Sequence, residues 1–374
     1  MDADRDTAAA VADRVLQAVL GTVDLLSIFA GDRLGWYRSL AHDGPATAAQ
    51  LAERTATHPR YAREWLEQQA VTGLLTVHRE GSAEGRMFAL PPAVAEVLTD
   101  EHSLNYLAPF ARLFGATGPA LPRLFEAYRT GGGVSWDELG DNAREGQAEG
   151  NRPWYQHRLA DALAGVPEVD AVLRTSGVRI LDIGCGAGWS SIALAESYPG
   201  TQVQGVDIDA PSVRTARRNA EAAGVADRCE FTVTDAAQLP EGGFDIAFAF
   251  ECVHDMPRPV EVLAAVRRAL RPGAPLVVMD EAVAQEFTPH GDDLERLMYG
   301  FSLFVCLPDG MSSPPSAGTG TVMRQQTLQE YAFAAGFTSV EVLPIEDFGF
   351  WRFYRLDCGG AGPAPVAGRA HSPR

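Results

Sequence analysis

The sequence contains no lysine. All 31 of its Lys+Arg cations are arginines, against 49 Asp+Glu, giving a formal net charge of -18. Without lysine, no Schiff-base or lysine-base chemistry is available. A sequence pI near 4.8 argues against broad binding to nucleic acid or to an anionic membrane, because both need a cationic surface. Cysteine is also scarce. The five cysteines (Cys185, Cys229, Cys252, Cys306, Cys358) are widely spaced and form no CxxC pair, so no metal site is expected and reduced thiols in a cytoplasm fit. No run of about eighteen apolar residues occurs, so no spanning helix is expected. The acidic start, Met1 to Asp6, lacks the basic region of a secretory leader.

What is present suffices for two or three domains: 374 residues, 46% of them hydrophobic. Residues 1–14 are expected to be disordered, as are residues 358–374, which are rich in Gly, Pro and Ala. In residues 15–100, a short helix is expected from Ala46 to Thr55 with Thr47 as N-cap. A second is expected from Pro59 to about Thr72, with proline at its start and Gly73 at its end. Two short strands follow. Helix, turn, helix and hairpin make a winged-helix pattern. Residues 101–170 read as a helical linker and substrate cap, with a flexible break at Gly131, Gly132 and Gly133. In residues 171–357, apolar runs at 178–183, 203–208, 231–234, 246–253 and 276–279 alternate with helical stretches. Continuous apolar strands between helices imply a parallel sheet covered on both faces. Residues 340–343 and 350–356 add a finishing antiparallel pair.

The first of these strands runs into Asp182-Ile183-Gly184-Cys185-Gly186-Ala187-Gly188, and a helix follows. A glycine-rich strand-to-helix turn lets a ligand approach the backbone at a helix N-terminus. The dinucleotide fingerprint needs a third glycine where Trp189 stands, so the NAD pattern fails. Asp182 would repel a pyrophosphate and favour a ligand carrying cations. Asp207 ends the next strand, about twenty residues on, where a carboxylate can take both ribose hydroxyls. Asp235 follows the third strand and can accept from an adenine amino group. The plain alternative for each acid is a helix N-cap or a solvated loop carboxylate.

Residues 180–188, 205–209, Asp235, the Phe244-Asp245 pair and Leu270-Arg271-Pro272-Gly273 together resemble class I S-adenosylmethionine-dependent methyltransferases, over about residues 178–356. The resemblance implies an α/β, Rossmann-like seven-stranded sheet with a terminal antiparallel hairpin, preceded by a mainly α winged-helix domain. It implies S-adenosylmethionine as cofactor, with S-adenosylhomocysteine as product. By it, Gly184 and Gly186 wrap the methionine moiety and Asp182 supports its ammonium. Asp207 binds the ribose, Asp235 and Ala236 contact adenine, and Cys185, Ile208 and Glu251 complete the cofactor set. The layout resembles small-molecule O-methyltransferases that dimerise through the N-terminal domain. It also resembles actinobacterial winged-helix methyltransferases with a late Gly-Thr-Gly-Thr stretch, here Gly318 to Thr321. The glycine turn is not the DxGGGxG of plant-type enzymes and there is no HxWxD, so their catalytic assignment does not transfer.

A hydroxyl or ammonium acceptor must lose a proton. The candidate base is His254, just past the fourth strand, with Asp255 to orient it; the alternative is a structural histidine capping the next helix. Asp280 and Glu281, closing the fifth strand, are expected at the substrate or as orienters of the base. Met298 and Tyr299, in an apolar stretch before the loose residues 308–320, are expected in a substrate wall and lid, with Tyr155 near the cofactor's methionine end. The expected function is methyl transfer to a small molecule, favouring a hydroxyl oxygen, in secondary-metabolite biosynthesis. N- or C-methylation and a non-methylating reaction on this fold stay open. So does a DNA-binding regulator, although residues 46–73 balance Arg54, Arg60 and Arg63 against Glu53, Glu64 and Glu67 and so lack a basic reading surface. A homodimer is expected instead, burying Leu25, Leu26, Ile28, Phe29, Trp36 and Tyr37.

Overall fold

The computed structural model describes residues 7–79, 82 and 84–359. They fall into two compact units: one holds the residues up to Pro122 together with Trp136–Trp154, and the other holds Arg123–Ser135 together with the chain from Tyr155 onward.

The first unit opens with helix Ala8–Arg33, whose N-cap Thr7 accepts from the Ala10 amide. Order therefore begins ahead of the boundary expected near residue 15; residues 1–6 and 360–374 of the expected disordered ends lie outside the described residues. Helix Ala48–Thr55 carries a full capping box between Thr47 and Gln50, which satisfies two otherwise orphaned amides. Helix Pro59–Val71 starts on proline after the His58 cap. Strands β1 (Thr76–Arg79) and β2 (Met87–Ala89) pair antiparallel and complete the winged helix-turn-helix.

Trp36 and Tyr37, expected at a dimer surface, belong instead to this unit's core, at 4% and 0% exposure beside Trp65, Leu66 and Phe88. Of the six residues expected at the interface, only Leu26 is exposed. Helix Ala8–Arg33 shows a different apolar stripe: Val11, Val15, Leu16, Val19, Leu20, Val23 and Leu26. By length and composition alone this helix is apolar enough to cross a membrane. Asp13, Arg14, Gln17 and Asp24 interrupt it, so no unbroken apolar run marks this helix in the sequence.

A buried ion cluster braces the unit. Asp32, 2% exposed, accepts from Arg112 through both oxygens (Nε to Oδ2 2.5 Å, Nη2 to Oδ1 2.9 Å) and from Arg38 (3.1 Å). Removing one partner of such a set strands the other charges, at a cost of about 3–5 kcal/mol. Asp32→Ala is therefore expected to lose about 3 kcal/mol or more of unfolding free energy in urea titrations that follow this unit's tryptophans.

The second unit is built on one sheet. Its strands are β3 (Arg179–Ile183), β4 (Gln202–Asp207), β5 (Cys229–Val233), β6 (Ile246–Phe250), β7 (Leu276–Glu281), β8 (Ser339–Val342) and β9 (Trp351–Asp357). The spatial order is β5-β4-β3-β6-β7-β9-β8. The first five pair in parallel, and β9 runs antiparallel to both β7 and β8. Every residue of β6 and β7 is buried, as central strands covered on both faces require. β6 stops at Phe250, short of the expected residue 253, because Glu251 takes a left-handed backbone (φ 50°) and residues Val253–Asp255 form a 3-10 turn. Of the three glycines expected as a flexible break, Gly133 does another job. A side chain on Gly133 would collide with the Pro308 carbonyl and Ser312 amide, and the Val134 amide bonds Pro308 O at 3.0 Å.

Candidate active site

β3 has β4 on one side and β6 on the other, so the strand order reverses there and a crevice opens beyond its C-terminal end. A separate cleft of about 690 Å³ lies at the start of β3 and β4, lined by Arg179, Gln202, Arg228 and Phe244; it holds none of the glycine-turn residues and none of Asp182, Asp207 and Asp235. At the crevice the chain turns through Gly184, Gly186 and Gly188, with φ of 63°, 51° and 81°. A side chain in that region costs about 1–2 kcal/mol.

The three glycines differ in what surrounds them. A Cβ on Gly184 would stand 2.7 Å from Cys252 Cβ, and one on Gly188 would stand 2.8 Å from the Phe231 ring; on Gly186 it would meet nothing within 4 Å. Gly184 and Gly188 let the turn pack, whereas Gly186 offers bare backbone to the crevice. Its amide donates to Asp207 Oδ2 at 2.8 Å, and the Asp209 amide donates to Asp207 Oδ1 at 2.8 Å. Each carboxylate oxygen keeps a lone pair for one hydroxyl, which is the arrangement a ribose diol needs. Burial raises the Asp207 pKa, partly offset by these amides. Ile208, 69% exposed, forms an apolar rim beside it.

Other expected cofactor residues sit less simply. Cys185 is 5% exposed, and its Sγ would lie 2.9 Å from a Cβ built on Gly205. Its side chain therefore tucks under β4, and only its backbone belongs to the turn. Asp235 caps the 3-10 turn Ala236–Gln238 by accepting from the Ala237 amide at 2.9 Å, and Arg258 stands 3.6 Å from its Oδ2. Ala236 is 8% exposed. Glu251 holds the strained backbone at the end of β6, a kind of outlier that gathers at ligand sites.

Asp182 is 1% exposed. Its Oδ2 accepts both the Ser190 and Ser191 hydroxyls at 2.6 Å, so it clamps the first turn of helix Trp189–Ser197. Burial pushes its carboxyl up to about 6, against the pull of the two hydroxyls. A carboxyl raised in the fold adds stability that is full below its ordinary value of 3.8 and is lost as pH rises through about 6. The loss amounts to about 3 kcal/mol, and a cationic ligand nearby would return part of it. Without ligand, Asp182→Asn is expected to gain up to about 3 kcal/mol on its parent between about pH 4 and about pH 7, read from urea unfolding at each pH.

His254 is 3% exposed. Its Nδ1 lies 2.7 Å from Asp280 Oδ1 and 3.2 Å from Glu281 Oε2, and its Nε2 lies 3.2 Å from Asp255 Oδ1. Burial alone would lower its pKa, but Asp280, Glu281 and Asp255 raise it well above the usual histidine value. Burial drives the Glu281 carboxyl well above the usual range. Asp280 ends below it despite burial, because the His254 charge and hydrogen bonds oppose desolvation. The three acid groups thus favour the protonated ring over the neutral one. Asp280 and Glu281, at 1% and 4% exposure, face His254 and offer no surface to an acceptor. Cys252 ties this turn to the glycine turn: Gly184 packs on it, and its thiol donates to Ile183 O at 3.2 Å.

Met298, expected in a substrate wall, is fully buried, whereas Tyr299 is 42% exposed and takes a long 3.4 Å bond from Arg324. Tyr155 opens a π-helical turn, Tyr155–Leu159, and its ring lies 5.7 Å from that of Phe250. Sequence reasoning assigns no role to Ser190, Ser191 or Cys306, and Thr321 enters it only within the Gly-Thr-Gly-Thr stretch. Gly188 stands at the N-cap of the helix, and the Ser-Ser pair lies inside its first turn, where its hydroxyls donate to Asp182. Cys306 and Thr321 meet near His254 only through tertiary folding.

Comparison with known proteins agrees with this geometry. Residues 174–320 match the methyltransferase domain family, and residues 22–100 match the Rv2258c-like winged HTH domain. The chain is 38% identical over 125 residues to 27-O-demethylrifamycin SV methyltransferase of Amycolatopsis mediterranei (strain S699), covering 33% of this chain and 44% of that protein. It is 31% identical over 169 residues to norajmaline N-methyltransferase of Rauvolfia serpentina, covering 42% and 56%. The chain thus spans about half the length of these relatives. Among solved structures, mitomycin 7-O-methyltransferase superposes with a TM-score of 0.69 at 23% identity, over 93% of this chain and 98% of that one. Human N-acetylserotonin methyltransferase in complex with S-adenosylmethionine gives 0.70 at 18%, over 96% and 100%; at these identities the likeness is one of fold. Residues 174–320 are thus a methyltransferase domain on a class I fold and residues 22–100 an Rv2258c-like winged helix-turn-helix domain, and the protein is an S-adenosylmethionine-dependent methyltransferase.

Proposed function

We propose that this protein transfers a methyl group from S-adenosylmethionine to a hydroxyl oxygen of a small molecule, in secondary-metabolite biosynthesis. When bound, the cofactor supplies a sulfonium-activated methyl. Gly186 and Asp207 hold its ribose side, Ile208, Asp235 and Ala236 its adenine side, and the turn backbone with Glu251 and Tyr155 its methionine side. The observation that carries the acceptor reading is His254, oriented through Nδ1 by Asp280 at 2.7 Å on a turn packed against the glycine turn. A histidine fixed at one ring nitrogen can take a proton at the other, with Asp255 at Nε2 as its companion. The printed names of two matched proteins, a 27-O-demethylrifamycin SV methyltransferase and a mitomycin 7-O-methyltransferase, support oxygen as acceptor and specialised metabolism as setting. Incubation with methyl-deuterated cofactor and matched pairs of phenols or alcohols and their amine isosteres tests this. Label is expected on the hydroxyl members; label on amines alone would move the reading to N-methylation.

The exposed stripe of helix Ala8–Arg33 supports a homodimer through the N-terminal unit, in a cytoplasmic protein. Contiguous apolar side chains on an outward helix face mark an interaction surface, and light scattering would read a mass of two chains.

A further inference from the structure

His254 sits on a turn of three residues, Val253–Asp255, in 3-10 form. Such a turn has poor hydrogen-bond geometry, whereas a proton acceptor must be held within about 0.5 Å. Two outside supports reach it. β7 supplies Asp280 and Glu281 to the ring. The second comes from the stretch expected to be a loose lid. There the Gly320 amide donates to the His254 carbonyl at 3.1 Å, and the Ala317 amide donates to the Pro257 carbonyl at 2.8 Å. Cys306, from the π-helical turn Ser302–Cys306, lies with Asp255 at the imidazole. Thr321, 1% exposed, backs that thiol.

We propose that residues 317–321 are a positioning element for His254, with Gly320 as its central residue. The proposal rests on the reading of His254 as proton acceptor. Gly320 has φ 71°. A Cβ there would strike Ser302 Oγ and stand 3.1 Å from Leu307 Cβ. Only a residue without a side chain lets this amide reach the His254 carbonyl while the helical stretch passes behind it. The segment therefore fixes the backbone of the turn, and the β7 carboxylates fix the ring.

Three variants test this: Gly320→Ala, the double variant Ser302→Ala/Gly320→Ala, and His254→Ala. In Gly320→Ala, kcat is expected to fall about tenfold to about a hundredfold, with cofactor Kd within about twofold of the parent. The acid limb of the kcat profile should move down toward the ordinary histidine range, because the ring leaves Asp280, Glu281 and Asp255 while Cys306 stays neutral. A merely structural role would lower Tm without moving that limb. The double variant should recover part of kcat, since the colliding hydroxyl is gone, and it decides by the same readouts if the single variant fails to fold. Parent kcat with an unmoved acid limb in a folded variant overturns the proposal. Full activity in His254→Ala sinks the acceptor reading and the positioning role together; an inactive His254→Ala beside an unaffected Gly320→Ala sinks the positioning role alone.

Discussion

Asp207→Ala is expected to weaken S-adenosylmethionine binding by a factor of about a hundred or more. Hydrogen bonds to a charged group contribute about 1.5–3 kcal/mol each, and a diol makes two, so the direct loss alone reaches about 3 kcal/mol. A second loss follows from the latch. The Gly186 and Asp209 amides both end on this carboxylate, and without it the glycine turn loses the bond that sets Gly186 against the crevice. Asp207→Asn separates the two effects. It keeps an acceptor for one amide but points a donor at the other, so it should fall between the parent and the alanine variant. Calorimetry of the cofactor with each protein measures this, and an unchanged affinity in Asp207→Ala would refute the ribose role.

His254→Ala is expected to lower kcat by about 10²–10⁴, the usual span of general-base catalysis, while cofactor affinity stays within about twofold. The ring's surroundings add a signature in pH. Asp280, Glu281 and Asp255 raise the His254 pKa well above its usual value, and only the neutral form of the ring can accept a proton. Parent kcat should therefore climb with pH through a midpoint above the ordinary histidine range, and that limb should be absent from the residual activity of His254→Ala. A flat profile in the parent would remove His254 from proton transfer and leave it a structural pin between β6 and β7.

The sheet was readable because its central strands are unbroken apolar runs and because caps and prolines mark the helices between them. Thr47, Pro59 and the Pro272-Gly273 stop all signal through local chemistry. The glycine turn and Asp207 were readable for the same reason: spacing along the chain sets which residues reach the strand ends. What sequence could not show depends on contacts between distant residues. Nothing local tells that Cys185 turns its thiol under Gly205, or that Trp36 and Tyr37 face Trp65 instead of a second chain. Met298 reads as one more apolar residue on a helix, and its burial is decided by what packs on it. The glycines and prolines of residues 308–320 suggest looseness, yet Gly310, Gly318 and Gly320 are there because other groups pass within about a side chain's reach of them. Glycine marks both mobility and close approach, and only the fold tells the two apart.

Methyl transfer itself is measured most directly by incubating the protein with methyl-labelled S-adenosylmethionine and a metabolite extract from the producing cells, followed by mass spectrometry of small molecules and cofactor products. The expected result is label on a small molecule, with S-adenosylhomocysteine formed in equal amount and both lost in Asp207→Ala. Cofactor that binds tightly but yields neither S-adenosylhomocysteine nor a labelled small molecule would contradict the assignment and point to a methyltransferase fold put to another reaction.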